Sequence, residues 1–289
     1  MTDLILHHYP QSPFAEKARL MLGFKGLSWH SVMIPPVMPK PDLTALTGGY
    51  RRTPVLQIGA DIYCDTALIA RRLEQEKAAP ALFPEGQEAA AAGLAQLADQ
   101  VLFQHAVAIN FQPQGLAERF AGMPEQVVKG FVADRQKLFS GGSASRLETD
   151  VALSQWPALL SRLELQLERD GDFLLGEHPS VADFAHYHAL WFVASNRAVA
   201  AALDPYPAVR AWMQRVADFG HGSHTQMSGE QAIAIARDSA PAALPADAIA
   251  SPGGFETGQA VTVSAVDYGT DEVAGTLLFE GAEEIIIAR

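Results

Sequence analysis

The chain has 289 residues, more than one typical domain needs, so two packed units are expected, with room for a small third. Its 48% hydrophobic and 19% charged residues are ordinary globular composition, and no uninterrupted apolar run approaches the roughly 20 residues of a membrane span. A formal net charge of −12 speaks against nucleic acid or an anionic membrane, which are bound through concentrated Lys and Arg, and leaves a small ligand or another protein as the expected partner.

Residues Met1 to Leu6 carry no basic stretch and place an acid at Asp3, unlike a targeting segment, so the mature protein is expected to start here. The one cysteine, Cys64, allows no intrachain disulfide, and without a cysteine cluster no metal is expected. Both features suit a reducing, cytoplasmic compartment.

Leu4 to Tyr9 reads as a strand, broken by Pro10 to Pro13 before an amphipathic helix begins. In that helix Phe14, Ala18, Met21 and Leu22 form the apolar stripe, Glu16, Lys17 and Arg19 lie on other faces, and Gly26 ends it. Trp29 to Ile34 is a second strand, and the prolines that follow leave room only for a short helix around Asp42 to Leu46. Pro54 to Ile58 and Ile62 to Cys64, joined through Gly59, predict a hairpin, after which a helix runs from Asp65 or Thr66 to about Glu76. A helix between the first two strands favours a parallel pair, whereas the tight turn makes the last two antiparallel. The result is a mixed four-stranded sheet of thioredoxin-like kind over residues 1–78.

Past a linker holding Pro80 and Pro84, residues 86–220 show helical spacing and predict an all-helical bundle. Ser140 to Ser143 is a loop within it, and Tyr206 to Phe219 its last helix. His221 to His224 reads as a flexible loop. Residues 238–289 are a linker followed by a β-rich extension, with strands expected at Ala260 to Val266, Val273 to Phe279 and Glu284 to Ala288. So small an extension is expected to pack on the main body or on another subunit.

Three segments can carry chemistry, and each also has a plain structural reading. Ser12 before Pro13 suits a helix N-cap; a hydroxyl beside the unpaired N–H groups and the positive dipole end can equally stabilise a bound thiolate. Thr53-Pro54 before a strand is either an ordinary trans loop proline or a cis bond that turns the Val55 backbone toward a peptide-like ligand. Asp65 or Thr66 can cap a helix, or together hold the charged ends of an α-amino acid.

In this order and spacing the three segments resemble the glutathione transferase superfamily, and Ser12 to Lys17 is similar to the omega-type pattern in which cysteine often stands at the Ser12 position. The resemblance implies that Ser12 contacts the glutathione sulfur as the catalytic residue. It further implies that Pro54 is cis, that Val55 pairs with the cysteinyl backbone, and that Asp65 and Thr66 hold the γ-glutamyl end. Phe14, Arg52 and Thr53 complete the implied glutathione site. Ser180 to Asp183, a capping box, is like the folding signature of the family's helical domain. The resemblance covers roughly residues 3–219.

The expected activity is that of a detoxifying glutathione S-transferase acting on a small apolar electrophile, with glutathione as co-substrate and the protein a homodimer. A non-catalytic binding or regulatory protein, and a glutathione-dependent isomerase or dehalogenase, are the alternatives. Serine in place of cysteine disfavours thiol exchange. Arg51 and Arg52 depart from the family's usual segment before the proline; one could meet the glycyl carboxylate, or both could be solvated. Phe103, His105, Phe111 and Trp191 are either a second apolar substrate pocket or plain core.

Overall fold

In the computed structural model, residues 3–144, 146–169, 171–246, 249 and 253–289 are described. Strand β1 (Leu4–His8) is buried along its whole length and forms the centre of the first sheet. Helix α1 (Pro13–Phe24) leads to β2 (Ser28–Met33), parallel to β1 with Leu4 opposite Trp29. After the short α2 (Pro41–Thr47), strands β3 (Val55–Ile58) and β4 (Asp61–Cys64) form the antiparallel hairpin, and α3 (Thr66–Glu76) closes the unit.

The helical region comprises α4 (Glu88–Leu97), α5 (Phe103–Asn110), α6 (Pro113–Arg119), α7 (Glu125–Leu138), α8 (Thr149–Leu167), α9 (Val181–Ala194) and α10 (Pro207–Ala217). A π-helical turn, Ala98–Leu102, joins α4 to α5 with helical backbone angles on both sides. Helix α9 is buried on nearly every side and packs on α1, α4 and α5, so one apolar core runs through both units. Its capping box is formed: Ser180 Oγ accepts from the Ala182 amide, and Asp183 accepts from the Ser180 amide at 2.8 Å. Asp183 also accepts from the Leu174 amide and Trp212 Nε1, each at 2.9 Å, pinning α10 and the preceding loop to α9.

The stretch after α10 departs from the expected loop. Ser223–Gln226 forms β5, parallel to β2, and Gly229–Asp238 forms α11, so the sheet has five strands in the order β4-β3-β1-β2-β5. The reason lies in β2, whose outer edge would otherwise leave its backbone groups unpaired. The Trp29 indole N–H donates to the His221 carbonyl at 2.8 Å, its ring stacks on His224 at 4.6 Å, and His221 Nε2 meets Glu16 Oε1 at 3.0 Å. Ala232 of α11 packs with Ile5 and Val32 on the face of the sheet.

The charged residues of α1 also lie elsewhere than its amphipathic pattern suggests: Glu16, Lys17 and Arg19 are all buried. Arg19 bonds Glu16 at 2.6 Å and His8 Nδ1 at 3.0 Å, and His8 Nε2 meets Ser31 Oγ at 2.9 Å.

The extension forms an antiparallel sheet of β6 (Ala260–Val263), β7 (Val273–Glu280) and β8 (Ile285–Ala288). It packs on the main body of its own chain: Asp267 and Tyr268 against Arg52, Glu283 against Arg71, and Gly269 against Leu138.

Candidate active site

A cavity of about 410 Å³ opens between the N-terminal ends of α1 and α3, the π-helical turn and the extension. Phe14, Arg52, Thr53, Pro54, Asp65 and Thr66 all contribute to its wall, so six of the residues singled out in three separate segments share one surface. The Thr53-Pro54 bond is cis.

Each is held by local chemistry. Asp65 caps α3, its Oδ1 accepting from the Ala67 amide at 2.8 Å. It does so with a backbone φ of +83°, a conformation that costs a non-glycine residue on the order of 1–3 kcal/mol and that gathers at functional sites. Thr66 is buried, with Oγ1 3.4 Å from Lys17 Nζ. Ser12 caps α1, its Oγ accepting from the Ala15 amide at 3.2 Å. Ser12 is 3% exposed and Val55 fully buried, and neither belongs to the cavity wall.

The polar centre of the cavity is a group that motif reading passed over. Lys17, 1% exposed, donates from Nζ to Asp99 Oδ2 at 2.7 Å, and Asp99 Oδ1 is 2.8 Å from His188 Nε2. Burial alone would raise the Asp99 carboxyl, but the Lys17 ammonium and the His188 hydrogen bond outweigh it and hold it down at about 2. Burial lowers the His188 pKa more than Asp99 raises it, so a neutral ring donates from Nε2, leaving Nδ1 without a partner among the described residues. Phe14 lies over this group, its ring 4.5 Å from His188 and 4.7 Å from Phe103. The sequence signal was weak: Lys17 stood in the first motif as a helix-face charge, and Asp99 sits where a π-helical turn, invisible to a 3.6-residue period, rotates it inward.

The arginine pair is not solvated. Arg51 is buried and donates to Asp134 Oδ1 at 2.7 Å. Arg52 donates from Nη2 to Asp267 and to the Tyr268 carbonyl, and its guanidinium lies 3.8 Å from the centre of the Tyr268 ring. Burial pulls the Asp267 carboxyl up, yet the Arg52 hydrogen bond brings it below its ordinary value. Arg71 is shared between Glu283 at 2.9 Å and the face of Phe83 at 3.8 Å. Cys64 is half-buried on β4, packed against Ile34, Leu43 and Val55, and burial pushes its thiol up to about 12.

Phe103, His105, Phe111 and Trp191 are absent from the cavity wall. His105 is buried between helices, its Nδ1 2.8 Å from the Val101 carbonyl and Nε2 2.8 Å from Gln155. Phe103 and Phe111 pack on Phe192, and Trp191 packs against the main core. Phe103 touches a wall residue, its ring packing on Phe14. Among the described residues there is no group of three metal-ligating side chains, and no helix is long and apolar enough to cross a membrane.

A thioredoxin-like unit with a cis proline before its third strand, joined to a helical unit across a shared cavity, defines a two-domain glutathione-transferase architecture. Comparison with known proteins bears this out. Residues 6–81 match the family model for the glutathione S-transferase N-terminal domain, and residues 126–218 that for the C-terminal domain. A GST-like protein from Pseudomonas syringae is 52% identical, covers 100% of this chain and 92% of its own, and superposes with a TM-score of 0.84. At the level of fold, a glutathione S-transferase from Rhodospirillum rubrum is similar (TM-score 0.56, 19% identity, 74% of this chain and 87% of that one). So is the beta-etherase LigF from Sphingobium (TM-score 0.55, 17% identity, 75% and 95%). No curated protein matches. The chain belongs to the glutathione transferase superfamily, and its extension is shared with the Pseudomonas relative, whose match spans the full length.

Proposed function

We propose that the cavity binds a glutathione-type γ-glutamyl thiol and activates the ligand's own thiol for attack on a small apolar electrophile. The observation that carries this reading is the convergence of Phe14, Arg52, Thr53, Pro54, Asp65 and Thr66 on one wall. Asp65 is exposed and suits the γ-glutamyl ammonium, while the amides at the start of α3 and the Thr66 hydroxyl suit the adjoining carboxylate. Val55 at the head of β3 supplies the strand backbone against which the cysteinyl unit lies.

Ser12 acts on the sulfur in this reading. Capping occupies a lone pair of its oxygen through the Ala15 amide and leaves the hydroxyl proton to donate to a thiolate at the positive end of α1. The thiolate, not the protein, is the nucleophile, so no covalent enzyme intermediate forms. The homodimer and the cytoplasmic location belong to the same proposal.

The deep burial of Ser12 favours a second reading, a binding or regulatory protein that holds the thiol without activating it. Titration calorimetry with reduced glutathione, followed by thiolate absorbance of the complex, tests the two in order. The first reading expects binding, a thiolate signal at neutral pH, and loss of both signal and conjugating activity in Ser12→Ala. Binding without any thiolate signal would leave the second reading; no binding of glutathione or an analogue would remove both.

A further inference from the structure

Arg52, one of the two arginines that the sequence offers to a glycyl carboxylate, already holds a carboxylate of its own chain. Asp267 Oδ1 and the Tyr268 carbonyl accept from Nη2, the same carbonyl accepts from Nε at 3.1 Å, and the Tyr268 ring covers one guanidinium face. Among the described residues Nη1 has no hydrogen-bond partner. The segment bearing Asp267 is fastened to the body on both sides: the Ser143 amide donates to the Val266 carbonyl at 2.9 Å, the Ala144 amide to the Asp267 carbonyl at 3.0 Å, and the Gly269 amide to the Leu138 carbonyl at 2.7 Å. Phe139 stacks on Tyr268 at 5.0 Å. Gly142, with φ of +80°, lies so close that a Cβ there would sit 2.1 Å from the Asp267 carbonyl oxygen.

The charge of the cavity follows from this contact. Apart from the extension, the wall carries three cations, Lys17, Arg52 and Arg71, against the carboxylates Asp65 and Asp99. Asp267 and Glu283 reverse that balance, each at the head of an arginine. A carboxylate arriving at Arg52 meets the Asp267 charge beside a cation already neutralised. An amide carbonyl or an ester arriving at the same guanidinium meets no such repulsion.

We propose that the Arg52 end of the cavity recognises an uncharged terminus, so that the chain takes a γ-glutamyl thiol whose terminal carboxylate is amidated or esterified in preference to glutathione itself. This rests on the reading of the cavity as a γ-glutamyl thiol site, and it makes Asp267 a specificity-determining residue.

The test is calorimetric titration of the full chain with reduced glutathione and with its glycyl amide at neutral pH. The amide is expected to bind about twofold to fivefold more tightly, the size of a half-exposed like-charge contact. Asp267→Asn, which removes the charge and keeps the shape, is expected to abolish that preference by strengthening glutathione. Gly142→Ala, which displaces the Asp267 backbone from outside the cavity, is expected to act in the same direction. Glutathione binding as tightly as its amide to the unaltered chain, or a preference unchanged in Asp267→Asn, would overturn the inference and leave the thiol site standing. Failure of both ligands to bind would remove the site and the inference together.

Discussion

Lys17→Met breaks the ion pair that ties the first helix to the helical unit, and its cost can be worked from the geometry. Lys17 is 1% exposed and its Nζ lies 2.7 Å from Asp99, whose side chain is 21% exposed. Removing one partner of a buried pair costs about 3–5 kcal/mol, chiefly because the remaining charge is stranded; the residual exposure of Asp99 and its His188 bond put the expected loss near about 3 kcal/mol. For a chain of this size that lowers Tm by roughly 6–12 °C. Asp99→Asn keeps an acceptor for the His188 N–H, so a cycle of Lys17→Met, Asp99→Asn and the double variant isolates the pair. Urea denaturation at neutral pH is expected to give a coupling of about 2 kcal/mol. Neutral pH matters because Asp99, held down at about 2, contributes fully above the ordinary carboxylate range and loses that contribution as pH falls through about 2. A coupling below about 0.5 kcal/mol would refute the reasoning, since the pair would then be no better than a solvated one.

Two further outcomes follow from buried polar groups. Burial and the nearby Arg19 push His8 down to about 3, and burial pushes His186 down to about 4, so the unfolded chain takes up protons first as pH falls below about 6.5. Their neutral forms therefore support the fold fully above that pH, and stability is lost on acidification at roughly 2–3 kcal/mol per pH unit between about 6.5 and 4. Urea midpoints measured across that window check it; a flat profile would contradict the buried neutral histidines. Asp183→Ala removes the acceptor for the Leu174 and Ser180 amides and Trp212 Nε1, with an expected cost of about 3–5 kcal/mol. Asp183→Asn, keeping one acceptor oxygen, should lose clearly less by the same assay, and equal losses would argue against the network.

Much of the architecture was legible because it rests on local signals. The alternation of β1 with α1, the Gly59 turn, and the Ser180 capping box each act within a few residues, and each forms as expected. Helix α11 carries the same kind of local signal, a capping box of Ser228 and Gln231. Strand β5 does not. Ser223–Gln226 is polar and exposed throughout, with no alternation to betray it, and it exists because the edge of β2 needs a partner.

The site divides in the same way. Residues 12–14, 52–54 and 65–66 reveal themselves because helix starts and a proline before a strand demand particular chemistry at fixed positions. The burial of Lys17 against Asp99 and the grip of Asp267 on Arg52 join residues 82 and 215 positions apart, and His105, Phe111 and Trp191 lie off the cavity wall. The sequence by itself thus determined the two-unit family fold and the three segments that meet at the cavity, because those follow from short-range capping, turn and periodicity rules. Only the tertiary structure decided the charge of the cavity. That charge depends on which carboxylate reaches which cation, and no local pattern encodes that.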